Sequence, residues 1–270
     1  MPPVSKRTQR SRSYDPARIR AAVLAQFDHV HRGVLALTPE QLGRPTRLGE
    51  WTVRELAAHV TMAMRSLIRG VDAPAPPTRD LTLLEWPLAT RRYAGDVDHD
   101  TREIAEAGAQ DPASLAALYE ETARGLADAL EAPDDRLIVT RFGGVRLADF
   151  LVTRTVELIV HTDDLNDATG LAVPYERQAL AACTRLLADA LAGKAPGGSV
   201  EVRVPPYAVV QCVEGPRHTR GTPPNVVETE PLTWVRLATG RTSWAQALST
   251  AQVRASGERA DLSAHLPVLG

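Results

Sequence analysis

The chain is short of cysteine and lysine, carries almost no net charge and has no long apolar run. Two cysteines, Cys183 and Cys212, in 270 residues build no disulfide framework and form no CxxC pair, which points to a reducing compartment. No apolar stretch approaches the ~20 residues that cross a bilayer, because Arg, Glu, Asp or His breaks each one within a few positions. The 31 basic and 33 acidic residues leave a net charge of -2, which excludes the whole-protein field that recruits nucleic acid or an anionic membrane. There is no internal repeat, Gly-rich phosphate loop or nucleophile elbow. Gly143-Gly144 and Gly197-Gly198 lack the required spacing, so nucleotide binding has no support. Lysine occurs only at Lys6 and Lys194. With the abundant alanine, the arginine excess reads as codon bias of a GC-rich genome rather than an interaction surface.

What is present is the composition of a globular protein, 44% hydrophobic and 24% charged, at a length that fits two domains. The start, MPPVSKRTQRSRSYD, is basic but lacks an apolar h-region, so residues 1–13 read as a disordered leader and the expected location is cytoplasmic. Asp15-Pro16 is an N-cap with proline at the first helical position, and Ile19, Val23, Phe27, Val30 and Val34 continue one helix to about Thr38-Pro39. Thr52 and Glu55 make a capping box for a second helix, whose apolar face is Val53, Leu56, Val60, Met64 and Leu67. Residues 71–80, with Pro74, Pro76 and Pro77, are a connection. Leu81 to Ala107 has patchy helical spacing interrupted at Pro87 and Gly95. Further helices are predicted after Asp111-Pro112, from about Val145 to Asp167 and from about Pro174 to Leu191.

After Gly193 the composition changes. KAPGGS is a boundary, and VEVRV, YAVVQCV, VVETE and AQVRAS have strand length and patterning, with helical spacing over Leu232 to Leu248. The fold class is therefore α plus α+β, with a helical bundle over 14–193 and a smaller α+β domain over 199–270.

One predicted helix carries chemistry. Leu147, Phe150, Leu151, Leu158 and Leu165 define its buried face, and Arg154, Glu157 and His161 lie on that face too. Charged groups inside an apolar stripe cost several kcal/mol unless paired or coordinated. Glu157 and His161 stand one turn apart and project together, and His59 on the second helix lies near the inward border of its stripe. Two imidazoles and a carboxylate suit a borderline divalent ion such as zinc, and three protein ligands leave one position open. The other reading is an internal hydrogen bond or ion pair among Glu157, His161 and Arg154, with His59 a satisfied core histidine. Arg154 either holds a carboxylate of substrate or cofactor or pairs with Glu157 and Asp164. Asp164 either orients the His161 ring or is a surface acid.

LGEWTVRELAAHV followed about a hundred residues later by TRTVELIVHTDDL resembles the mycothiol-dependent maleylpyruvate isomerase family within the DinB-like metal-binding four-helix bundles. The stretch PPNVVETEPLTWVRLATGRTSW with VRASGERADLSAHLPVL resembles the bacterial sterol-carrier-like domain fused to such bundles in actinobacterial sterol carrier family proteins. The resemblance implies metal binding by His59, Glu157 and His161, with zinc the usual ion, and a catalytic set of those three plus Arg154. It also implies mycothiol as cofactor: its thiolate adds to a conjugated double bond, rotation follows, and elimination returns the thiol.

The sulfur comes from the cofactor, since Cys183 and Cys212 are expected to be buried structural residues. Expected partners are a small-molecule substrate and a low-molecular-weight thiol, with no nucleic acid and no membrane span, in a monomer or homodimer. The competing functions are a non-enzymatic lipid or sterol carrier with a structural or vestigial metal site, and a metal or stress-response interaction protein. Trp51 is expected to anchor the start of its helix, and Trp234 and Trp244 to be core of the small domain. Arg217, His218, Arg220, Asn225 and Arg236 are either solvated loop positions or an anion-binding edge of an interdomain groove, and His29, His31, His99 and His265 are expected at the surface.

Overall fold

The computed structural model describes residues 12–131, 135–215 and 224–269. Its first part is built from α1 (Pro16–Leu35), α2 (Pro39–Leu42), α3 (Val53–Asp72), α4 (Trp86–Ala89), α5 (Ala94–Gly108) and α6 (Pro112–Ala129). A hairpin of β1 (Leu137–Thr140) and β2 (Gly143–Arg146) then leads into α7 (Leu147–Thr169) and α8 (Arg177–Lys194). The remainder is β3 (Val200–Val204), β4 (Ala208–Cys212), β5 (Val226–Thr229), α9 (Pro231–Ala238), α10 (Trp244–Ser249) and β6 (Val253–Ser256).

The helix starts follow the sequence signals. The Asp15 carboxylate accepts from the N–H groups of Ala17 and Arg18 at 3.0 and 3.2 Å, satisfying donors that the first turn of α1 leaves free. Glu55 accepts from the Thr52 backbone N–H at 2.8 Å, and Asp111 from that of Ser114 at 2.8 Å. α7 stops at Gly170, whose φ of 74° lies in the left-handed region that glycine enters without strain.

Four helices close a ring: α1 packs on α7, α7 on α3, α3 on α6, and α6 on α1. α5 lies outside α3. Leu56, Met64 and Leu67 of α3, Leu115, Tyr119 and Leu126 of α6, and Leu158 of α7 fill the interior and are all but fully buried. Each such side chain contributes roughly 1.5–3 kcal/mol by leaving water. α7 is buried almost all round from Leu147 to Leu165, so it runs through the middle of the molecule. Buried polar groups there are bonded: the Tyr119 hydroxyl donates to Ala57 O at 2.9 Å, and Gln26 Nε2 to Thr162 Oγ1 at 3.0 Å.

The second part is a four-stranded sheet in the order β4-β3-β5-β6, with β3 and β5 parallel and the other pairs antiparallel. α8 joins the two parts, packing on α7 and α1 on one side and on β4 and α9 on the other. The α plus α+β reading thus describes the fold: a helical bundle followed by a small α+β unit. Trp234 and Trp244 are buried in that unit, as expected.

Several local expectations are corrected. The first helix ends at Leu35, and Pro39 instead opens the short α2 under a Thr38 cap. Pro87 and Gly95 sit in the first turns of α4 and α5 rather than breaking one helix, because proline is compatible with a first turn. The helical spacing over Leu232 to Leu248 is two helices separated at Gly240, φ 74°. Gly143-Gly144 belongs to a hairpin absent from the sequence reading, in which Gly143 has φ 89°. The connection over 71–80 lies against that hairpin, with Asp80 N–H donating to Gly144 O at 2.7 Å. Residues 1–11 of the expected leader lie outside the described residues; Arg12, also assigned to it, donates to Asp189 on α8 at 2.9 Å.

Candidate metal centre and its cavity

α3 and α7 pack side by side, and their facing turns bring His59 opposite Glu157 and His161. One ligand atom from each of the three lies within 4.8 Å of the others. His59 Nε2 and His161 Nε2 each stand 3.3 Å from Glu157 Oε2. Both rings are buried, while the Glu157 side chain keeps 21% of its exposure.

The far nitrogen of each ring is occupied elsewhere. His161 Nδ1 lies 3.0 Å from Asp164 Oδ2, and His59 Nδ1 lies 3.2 Å from Thr101 Oγ1. With Nδ1 of each ring placed against an oxygen, both rings aim Nε2 at the same carboxylate oxygen. Burial lowers the pKa of His59 despite Glu157, whereas His161, also penalised by burial, is raised by Asp164 and Glu157. Burial acts to raise Glu157, yet the hydrogen bonds from His161 and His59 and the charge of Arg154 hold it well below the usual carboxylate range.

Arg154 is buried against the same site. Its Nη2 is 3.7 Å from Glu157 Oε1, its Nη1 donates to Ala63 O at 3.2 Å, and the guanidinium stacks 4.4 Å from the centroid of Phe150. The expected pairing with Glu157 is present, but Asp164 is not its partner. Asp164 is not a surface acid either: it is fully buried and held by Arg241 of the second unit at 2.9 Å and by Arg47 at 3.4 Å. Burial acts to raise it, and the hydrogen bonds from His161 and Arg241 pull it far down. Asp163 beside it pairs with Arg236, so Arg236 is neither a solvated loop position nor an anion-binding edge.

A cavity of about 730 Å³ opens from the three side chains. Its walls are mostly apolar, among them Met62, Val97, Phe142 and Phe150, and the second unit contributes Leu269. Trp51 does more than anchor its helix. Its indole N–H donates to Asp98 at 2.6 Å, its ring lies 5.0 Å from that of His59, and it lines the cavity. Cys183 and Cys212 are buried and do not line it.

Asn225 is buried and spans Ser199 O and the Arg259 N–H, while Arg217, His218 and Arg220 lie outside the described residues. His31 is half-buried beside Phe27 and Tyr119 rather than at the surface. Thr101, Arg47, Arg241 and Leu269 were not singled out from sequence. For Arg47 and Arg241 the one visible signal is the run Asp163, Asp164, Asp167 at the end of a buried helix, which demands cations from elsewhere; Thr101 and Leu269 carry none.

Comparison with known proteins adds the following. The profile of the mycothiol maleylpyruvate isomerase N-terminal domain family matches residues 10–166, and that of the bacterial SCP ortholog family matches residues 176–268. A crystal structure of the mycothiol-dependent maleylpyruvate isomerase superposes with a TM-score of 0.62 at 16% identity, covering 90% of this chain and 93% of that one. A histidine-to-alanine mutant of such an isomerase gives 0.60 at 17% identity with the same coverage. At these identities the likeness concerns the fold. No curated protein matches the chain. With more than half its length under the first profile, the chain belongs to the mycothiol maleylpyruvate isomerase N-terminal domain family, followed by a bacterial SCP-type unit.

Proposed function

We propose that His59, Glu157 and His161 hold one divalent cation, zinc by preference, and that the protein is a mycothiol-dependent isomerase or transferase acting on an electrophilic small molecule such as an unsaturated acid. The observation that carries this reading is the convergence of three buried donors at one end of a cavity large enough for a cofactor-sized ligand. The donor set fits the ion. Ligand atoms about 2.0–2.2 Å from a tetrahedral centre stand about 3.4 Å apart, close to the two 3.3 Å separations. A cation bound there supplies the Lewis acidity that lowers the pKa of a coordinated thiol.

The chain's own residues do the rest. Asp164 and Thr101 hold the Nδ1 sides of the two rings, so their orientation is set before any ligand arrives. Arg154 sits beside Glu157 and presents positive charge at the cavity wall, where a developing anion on the substrate is stabilised. The apolar walls keep water away from the reacting groups. Neither cysteine serves as nucleophile, because burial raises both thiols, Cys212 to about 11.

We keep the division at 14–193 and 199–270: the three ligands come from the first part, while Arg241 and Leu269 of the second brace and close the site. A reducing, cytoplasmic setting belongs to the same proposal, and among the described residues no helix is long and apolar enough to cross a membrane. The test is turnover of a maleyl-type acid with and without mycothiol. Mycothiol-dependent loss of substrate is expected; a lipid that co-purifies in native mass spectrometry, with no thiol-dependent turnover, would establish the carrier instead.

A further inference from the structure

The outer part of the cavity carries charges that the candidate metal centre does not use. His59, Met62, Ser66 and Arg69 of α3, with Ala73 just past its end, all line it, at the alternating three- and four-residue spacing of a single helix face. At 1.5 Å per residue, His59 and Arg69 stand about 15 Å apart along the helix. The cavity is therefore a trough with the three donor groups at one end and Arg69 towards the other. Arg141, from the turn between β1 and β2, lines it as well. Arg69 is exposed at that outer end; partial burial of its guanidinium, then repulsion from Arg65 and Arg141, lowers its pKa, and the Asp100 carboxylate opposes the shift.

The carboxylate partners do not balance these cations. Arg141 pairs with Asp100 at 2.9 Å and Arg65 with Glu121 at 3.5 Å, whereas Arg69 makes no ion pair among the described residues and feels the Asp100 carboxylate only across a longer gap. The lining between the two ends includes Met62, Val97 and the aromatic pair Tyr93 and Phe142, whose ring centroids are 5.0 Å apart at 83°, and the Asp98 carboxylate, held by Trp51 and Arg102, also lines the cavity. An anion at Arg69 and Arg141 gains charge-assisted hydrogen bonds beside walls that offer water little. Mycothiol, an amide-linked sugar and inositol, has no carboxylate or phosphate to place there, so the anion belongs to the second substrate. A short acid whose charge lies a few carbons from its reacting carbon spans less than the trough.

Within the reading of the site given above, we propose that the electrophile is an extended amphipathic organic acid. Its apolar chain or ring lies along α3 against Met62, Val97 and Phe142, and its carboxylate is received by Arg69 and Arg141.

Calorimetric titration with hexanoate, heptanoate and octanoate and with the matching primary alcohols tests this without turnover, since none of these reacts with a thiol. Affinity is expected to rise about fourfold per methylene. Each acid should bind on the order of tenfold tighter than its alcohol. Arg69→Met should erase the acid's advantage and leave the alcohols unchanged, Arg69→Lys should restore most of it, and metal-stripped protein should behave like the parent. Three results overturn the proposal: acids binding no tighter than alcohols, Arg69→Met weakening both alike, or metal removal rather than Arg69→Met erasing the acid's advantage. Metal content of the His59→Ala protein is read separately, so a failed metal centre and a failed anion anchor give different results.

Discussion

Arg241→Met tests the link between the second unit and the candidate metal centre. Arg241 gives Asp164 two hydrogen bonds, at 2.9 and 3.2 Å, and Asp164 in turn holds His161 Nδ1 at 3.0 Å. The Asp164 side chain has no exposure and that of Arg241 has 15%, so solvent screening is weak. Breaking a buried ion pair from one side costs about 3–5 kcal/mol when nothing else reaches the survivor. Here Arg47 remains 3.4 Å from Asp164, and methionine keeps the apolar stem in place, so about half of that, ~2 kcal/mol, is expected. For a protein of this size it corresponds to a fall in Tm of roughly 4–8 °C.

Thermal melts of Arg241→Met, Asp164→Asn and the double variant complete the cycle, and the double variant should lose clearly less than the sum of the singles. The metal affinity of Arg241→Met should fall on the order of tenfold. The pH dependence has a definite sign. Asp164 is depressed in the folded state, so its contribution is present above the unfolded value of about 3.9 and is lost as the pH falls below it. The gap between parent and variant should therefore shrink below about pH 4. A Tm within about 1 °C of the parent, with additive singles, would refute the bonded link.

The other consequences are simpler to read. Gly143→Ala forces a Cβ onto a residue at φ 89° and should lower stability by about 1–2 kcal/mol, seen as a reduced urea midpoint; an unchanged midpoint would mean the turn tolerates a side chain. Cys183→Ala and Cys212→Ala should keep any thiol-dependent turnover, and native protein should react slowly with a thiol reagent at neutral pH, because the Cys212 thiol is raised to about 11. Metal retention in dialysis should fall as acidification protonates the imidazole ligands; retention that is flat down to pH 4 would exclude histidine ligands.

The residues that carry the bundle's periodicity were legible because helix caps and apolar spacing are local signals. Asp15, Thr52 and Asp111 open helices where their capping chemistry places them. Glu157 and His161 were legible for the same reason, since a four-residue separation fixes their relation within one helix. Joining His59 to them required tertiary pairing of α3 with α7, which spacing on separate helices leaves open. The hairpin over Leu137–Arg146 was hidden because its second strand, GGVR, opens on two glycines and holds one apolar side chain, Val145, so no alternation shows there. The arginine excess hid Arg47 and Arg241: a compositional surplus says nothing about which guanidinium meets a buried carboxylate. Arg154 was visible as a charge on an apolar face, but its hydrogen bond to Ala63 O depends on the neighbouring helix, and its stacking on Phe150 of its own helix depends on rotamer.

Metal content bears most directly on the meeting of His59, Glu157 and His161 around one ion. Protein purified with zinc present and then exhaustively dialysed should retain roughly one ion per chain, and His59→Ala and Glu157→Ala proteins of unchanged fold should retain almost none. Equal, tightly held metal in the parent and both variants, or none in any of them, would contradict it.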